Sequence, residues 1–333
     1  MQTYTGNTRS TAATTHRVCL APMMGYTDRH FRYFIRLMSR HTRLYTEMLT
    51  SGALLHGNAR RYLEFHGSEH PLALQIGGSE PRELAQCARL AAEYGYDEIN
   101  LNAGCPSERV QSGRFGACLM LEPHLVAECV AAMAAASAIP VTVKTRIGVD
   151  EHDGYDHLAA FVRAVAVAGC QVFIIHARKA WLRGLSPKQN REVPPLRYDV
   201  AEKLKHDFPK LTIVVNGGIQ TLQAVHTHLV SFDGVMIGRE AVANPYLFAD
   251  VDRRYFDARA PMLSRAQVLA AWLPYVTEEL ARGVPLARMT RHALGLFQGC
   301  PGARHWRRYL SECASRSGAG LGVLRDAQRA CIQ

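Results

Sequence analysis

From residue 209 to residue 239 the chain reads PKLTIVVNGGIQTLQAVHTHLVSFDGVMIGR. Two β-type runs stand in this stretch, Thr212–Asn216 and Gly234–Ile237, and each closes on glycine, at Gly217-Gly218 and at Gly238. TIVV is apolar without alternation, as expected of a strand buried on both faces. The interval between the two runs suits a helix. Six further runs continue the pattern toward the N-terminus: Arg17–Pro22, Arg43–Met48, Leu72–Ile76, Asp97–Asn102, Val141–Thr145 and Val172–His176. Helix signals fall between them. Pro81–Tyr94 follows Ser79 and Glu80, Glu122–Ser137 carries Pro123 in its first turn, and Tyr155–Ala168 stops at Gly169. Eight strands alternating with helices predict a (β/α)8 TIM barrel over residues 17–258. The competing arrangement, a doubly wound open sheet, lacks the G-x-G-x-x-G turn that would support it.

The strand pattern ends near Arg259. Ser264 and Gln267 form a capping box for a helix running to Arg282, with Gly283 as its stop and Pro274 as an expected kink. Helices over Leu286–Gln298 and Gly302–Arg316 complete a small all-α domain, residues 259–333. Residues 1–16 hold six threonines and no apolar core, which predicts a disordered tail rather than a signal or anchor.

Of 333 residues, 48% are hydrophobic and 20% charged, which excludes a disordered, collagen-like or coiled-coil chain. No apolar run reaches the roughly eighteen residues of a membrane helix. Nine cysteines without a C-x-x-C pair argue against disulfides and zinc knuckles, and predict a metal-free protein of the reducing cytoplasm. The formal charge is +10 and uneven: residues 259–333 hold eleven arginines, no lysine and four acids. Guanidinium forks match phosphate oxygens, so this surplus points to a nucleic acid, with a merely solvated basic face as the plain alternative.

A (β/α)8 barrel works at the C-terminal ends of its strands. Asn216-Gly217-Gly218 and Gly238-Arg239 end strands seven and eight, where such barrels commonly hold a phosphate on backbone N–H groups. The alternative is that these glycines only make tight turns. Ala21-Pro22-Met23 ends strand one, Gln75 lies in strand three, Lys144 in strand five and His176 at the end of strand six. A lysine inside PVTVKT calls for an anionic or electron-rich partner. His176 alone reads equally as a core histidine; with Arg178 it suggests a planar ligand bearing carbonyl oxygens. Cys105 differs from the other cysteines because it sits on a glycine–proline turn, Asn102-Ala103-Gly104-Cys105-Pro106, at a strand end. An exposed thiol there can deliver a proton, against the alternative of a small buried residue.

The stretches APMMGYTDRHFR, LYTEM, ALQIGG, INLNAGCPSERV, FGACLM, PVTVKTRIG, FIIHARKAWL, NGGI and DGVMIGREA are in the order found in the tRNA-dihydrouridine synthases, which the chain resembles from about Arg17 to its C-terminus. The loop Ala180–Leu196 and the segment QGCPGARHWRRYLSE are similar to the DusA subfamily, which acts on positions 20 and 20a of the tRNA D-loop. The resemblance implies bound FMN, its phosphate on Asn216, Gly217, Gly218, Gly238 and Arg239. It places Gln75, Lys144 and His176 at the isoalloxazine and Ala21, Pro22 and Met23 along its edge. It implies Cys105 as the catalytic proton donor to uracil C5, opposite a hydride delivered to C6, with NADPH as reductant. Asn102 would contact the base or its ribose, and Arg178 would join Lys144 and His176 beside the uracil oxygens. Lys188, Arg191, Arg304 and Arg307 would orient the tRNA, and the enzyme is expected to be a monomer. Trp306 is expected to pack the helical domain rather than stack a base. Gly25-Tyr26 replaces a more usual Asp–Trp-like pair and Ala103 a valine. A reductase of free pyrimidines and a tRNA-binding protein with an inactive barrel are the rival functions.

Overall fold

The computed structural model describes residues 15–329 and 331. Its strands are β1 (Val18–Leu20), β2 (Leu44–Tyr45), β3 (Leu49–Thr50), β4 (Leu72–Gly77), β5 (Glu98–Ala103), β6 (Val141–Arg146), β7 (Val172–His176), β8 (Thr212–Asn216) and β9 (Gly234–Ile237). All pair in parallel, in the order β1-β9-β8-β7-β6-β5-β4-β2, with β3 also on β4. The ring closes between its ends: the Leu20 N–H donates to the Arg43 carbonyl at 2.9 Å, and the Arg43 N–H to the Val18 carbonyl at 3.1 Å. This is a (β/α)8 barrel. β2 and β3 both pair with β4 and share one stave; of the run expected over Arg43–Met48 only Leu44–Tyr45 is strand, and the second short piece, Leu49–Thr50, follows it.

Strand residues alternate between two cores, because successive side chains leave a strand on opposite faces. Leu72, Leu74, Ile76, Ile99, Leu101 and Val143 belong to the large core beneath the helices. Cys19, Tyr45, Ala73, Ile174, Val214 and Met236 form a small separate core inside the ring. The same alternation sends Gln75 of β4, Glu98, Asn100 and Asn102 of β5, and Thr142, Lys144 and Arg146 of β6 into the lumen. Half of this lumen is therefore polar, and its upper end carries the candidate site.

The helices Pro81–Glu93, Pro123–Ala136 and Tyr155–Val167 lie within a residue or so of expectation. Beyond the barrel, Arg265–Ala281 starts at the Ser264–Gln267 capping box and contains Pro274. Expectation and structure part after it. The second helix covers only Leu286–Thr290, and the chain to Gln298 continues in tight turns bonded three residues back. Gly295 presses onto the barrel there: a Cβ on it would lie 2.4 Å from the Ala243 carbonyl oxygen. Ala303–Cys313 is followed by an unforeseen helix, Leu321–Arg329. The helical part grips the barrel helix Arg29–Arg36 through a stack of Tyr33 on Tyr275, ring centroids 3.9 Å apart, and through Arg29 on Glu279 at 2.7 Å. Trp306 is fully buried and its indole N–H donates to the Ala293 carbonyl at 2.9 Å, so it packs among the helices that follow the barrel.

Most of the tail expected over residues 1–16 lies outside the described residues. The part that is described does not behave as a tail at its inner end: His16 is buried under the barrel, its Nε2 2.7 Å from Glu98. No helix among the described residues is long and apolar enough to cross a membrane.

Candidate active site

Five consecutive strands, β4 to β8, send Gln75, Asn102, Lys144, His176 and Asn216 toward the C-terminal mouth. Strand register explains why they gather: Asn102 pairs with Lys144, Arg146 with His176, and His176 with Asn216. Lys144 Nζ donates to Asn216 Oδ1 at 3.1 Å, while Asn216 Nδ2 donates to the Met236 carbonyl at 2.8 Å. Burial pushes the Lys144 ammonium down to about 7, and the neighbouring Arg146 charge pushes the same way. Burial also holds His176 well below the ordinary histidine range, reinforced by Arg146, Lys144, Arg178 and Arg191. The imidazole is therefore neutral at physiological pH and can both donate and accept a hydrogen bond.

Cys105 follows the C-terminal end of β5 at the same mouth. The Oδ1 of Asn102 accepts from the N–H groups of Gly104 and Cys105, both at 3.0 Å, and so shapes the turn that carries the thiol. The thiol is partly exposed and 3.5 Å from the Ser107 hydroxyl. Cys87, Cys129 and Cys170, by contrast, are buried, and burial pushes each of their thiols up to about 12. Those three are inert at neutral pH; Cys105 is placed where a substrate can reach it.

The glycine turns serve two ends. Gly217 and Gly218 have φ of +116° and +71°, and a Cβ on Gly217 would lie 2.8 Å from His176 Cδ2. That turn needs glycine simply to close against the histidine. At Gly238 a Cβ would only touch the Ala21 side chain at 3.7 Å, an ordinary contact, so nothing there presses on the backbone. No hydrogen bond among the described residues engages the N–H groups of Gly217, Gly218, Gly238 or Arg239. Uncommitted N–H groups at two adjacent strand ends suit a phosphate. The exposed guanidinium of Arg239 pairs with Glu192 at 2.7 Å. Along the first strand end, the Ala21 N–H is used on Ile237 at 2.8 Å and that of Met23 on Thr27 at 2.9 Å, while Pro22 has none.

Arg178 is turned toward the loop after β7, its Nη1 donating to the carbonyls of Pro194 and Glu192 while its buried Nε has no partner. Two residues escaped the sequence reading. Arg146 is buried and donates to the carbonyls of Gly104 at 2.9 Å, Lys179 at 2.9 Å and Asn190 at 2.8 Å, tying the Cys105 turn to that loop. Asn190 is fully buried and braces the loop through Trp181 at 2.7 Å. The polar alternation in VTVKTR signals the first; nothing local signals the second. Between turn and loop lies an open cleft lined by Pro106, Glu108, Leu182, Leu185 and Pro187. Lys188 and Arg191 are exposed on the loop. Arg304 is exposed on the helix Ala303–Cys313, and Arg307 beside it donates to Gln298 at 2.9 Å. No hydrogen bond or ion pair joins the two basic groups, which stand on separate elements.

Comparison with known proteins places this arrangement. The profile of the family described as Dihydrouridine synthase (Dus) matches residues 19–332. The tRNA-dihydrouridine(20/20a) synthase of Vibrio cholerae is 59% identical over 312 residues, 93% of this chain and 95% of the relative. The protein of the same name from Shewanella oneidensis is 60% identical over 308 residues, 92% of each chain. That of Escherichia coli is 56% identical over 313 residues, 94% of each. An old yellow enzyme homologue from Zymomonas mobilis shares the fold with a TM-score of 0.52 at 13% identity, covering 74% of this chain and 90% of its own. With the family profile spanning the barrel and the helices after it alike, and with relatives matched nearly end to end, the chain belongs to the dihydrouridine synthase family.

Proposed function

We propose that this chain reduces the C5=C6 bond of uridine at positions 20 and 20a of the tRNA D-loop, using FMN held in the barrel mouth and NADPH as reductant. The observation that carries this reading is the convergence of Gln75, Lys144, His176 and Asn216 beneath the partly exposed Cys105 thiol. The residues fit FMN. Gly217, Gly218, Gly238 and Arg239 offer uncommitted N–H groups to its phosphate, with Asn216 beside them. Lys144 and His176 offer donors to its ring, with the Gln75 amide beside them. Ala21, Pro22 and Met23 wall the edge. When bound, FMN would supply hydride chemistry at this mouth, toward uracil C6.

The chain's own residues do the rest. A uridine must leave its stack to reach the mouth, as for other base-modifying enzymes. Asn102 lies where the base or ribose comes to rest. The enone places negative charge on the uracil oxygens as C6 is reduced, and Lys144, His176 and Arg178 surround the place where that charge develops. Arg178 has its unpartnered Nε to give. Cys105 delivers the proton to C5 from the opposite face. Lys188 and Arg191 at the mouth, with Arg304 and Arg307 on the helical domain, hold the tRNA by its phosphates and so select the uridine.

The test is chemical. Unmodified tRNA incubated with the protein, FMN and NADPH gains two hydrogens at positions 20 and 20a, read by nuclease mapping and mass spectrometry. Reduction of free uracil with tRNA untouched would assign a small-molecule reductase instead.

A further inference from the structure

The lumen below the site contains a continuous line of buried polar side chains. It starts at Glu98, which is fully buried on β5 and paired with His16 at 2.7 Å and Arg43 at 3.3 Å. The Tyr45 hydroxyl donates to Glu98 Oε1 at 2.8 Å and the Thr142 hydroxyl at 2.6 Å. Asn100 Nδ2 then donates to Thr142 Oγ1 at 2.8 Å, Gln75 Nε2 to Asn100 Oδ1 at 2.8 Å, and Asn102 Nδ2 to Gln75 Oε1 at 3.0 Å. The line ends where Asn102 Oδ1 receives the N–H groups of Gly104 and Cys105.

Every bond in it points the same way, and one group dictates the direction. An ionised carboxylate only accepts. Burial raises the proton affinity of Glu98, but the charges of His16 and Arg43 outweigh it and hold the carboxyl down to about 2. Thr142 must therefore spend its single O–H on Glu98, so its lone pair can only accept. Asn100 is then bound to present its NH2 to Thr142 and its oxygen to Gln75. Gln75 in turn presents NH2 below and oxygen above. Asn102 thereby turns its NH2 to Gln75 and its oxygen to the Cys105 turn. The reverse orientation of any one amide would set two donors or two acceptors face to face in a dry lumen, each such conflict costing about 1–3 kcal/mol.

We infer that Glu98 and Thr142 are positioning residues: they fix the orientation of Gln75 and Asn102, and through Asn102 the placement of the Cys105 thiol. This rests on the reading of Cys105 as the proton donor. The relay itself is independent of what the site reduces.

Thr142→Val removes the hydroxyl at constant shape and cuts the line below Asn100, while Thr142→Ser keeps it. The Val variant is expected to lower kcat on tRNA about tenfold with KM for tRNA within twofold. In protein stripped of cofactor it should change the rate of iodoacetamide alkylation at Cys105, read by peptide mass mapping, by threefold or more. The Ser variant is expected to return both within twofold of the parent. A Val variant matching the parent in both assays, or a Ser variant as impaired as Val, overturns the inference. Should Thr142→Val fail to fold, Asn100→Leu makes the cut one link higher and is judged by the same two criteria. Were the parent to reduce no uridine, the functional reading would fall, and the alkylation contrast between Val and Ser would still decide the relay.

Discussion

Replacing Lys144 by methionine tests the electrostatics of the site apart from its chemistry. The fall from the ordinary 10.5 to about 7 corresponds to roughly 5 kcal/mol set against the buried ammonium. Lys144 is only partly covered, and relaxation of the surroundings reduces that to about 2–3 kcal/mol. Loss of its bond to Asn216 returns about 1 kcal/mol. The variant should therefore be more stable than the parent by about 1–2 kcal/mol at pH 6.5 in cofactor-free protein. The pH dependence follows from proton counting. The unfolded chain keeps its proton up to 10.5 and the folded chain releases it near 7, so between those values the unfolded state binds more protons and parent stability rises with pH. The advantage of methionine is complete below 7, falls away as pH rises toward 10, and there gives way to the about 1 kcal/mol by which the parent keeps its bond to Asn216. Urea unfolding at pH 6.5 and 9.5 measures both points. A gap that is constant, or that widens with pH, would refute the account of Lys144 as a buried cation awaiting a partner. The same variant should lose affinity for FMN, trading function for stability.

Cys105→Ala should abolish uridine reduction while leaving the tRNA dissociation constant within about twofold; normal turnover would remove the thiol from the mechanism. Changing Arg304 and Arg307 together to alanine should weaken tRNA binding and reduce the slope of log K against log salt by about 1–2, and an unchanged slope would move the RNA site elsewhere. Gly217→Ala places a Cβ at left-handed φ and 2.8 Å from His176. It should destabilise the protein by about 1–3 kcal/mol in thermal unfolding and weaken flavin retention; parent-like values in both would mean the turn does not press on the histidine.

The barrel was legible because its strands are covered on both faces, so VFII and TIVV stand out as apolar runs between glycine, proline and capping signals. The mouth was legible because such barrels work at the ends of their strands. The lumen was harder. EINLNA and VTVKTR alternate polar and apolar residues, and that period of two separates Glu98, Asn100, Thr142 and Arg146 from the outer core. Reading each run only for its hydrophobicity hides them. Asn190 gives no local signal, since its role comes from a loop folding back on Trp181. Leu321–Arg329 was missed because Gly318, Gly320 and Gly322 crowd its start. The second helix of the C-terminal part was read too long because Gly295 looks like a tolerated helical glycine, whereas contact with Ala243 decides the backbone there.

The most direct test of the central claim is an anaerobic visible spectrum of the purified protein with FMN, recorded before and after NADPH and again after unmodified tRNA in the same cuvette. The flavin absorbance should bleach with NADPH and return with tRNA, because uridine is the oxidant that the mouth is built to receive. A spectrum that bleaches and stays bleached when tRNA is added, or a protein that retains no flavin, would contradict it.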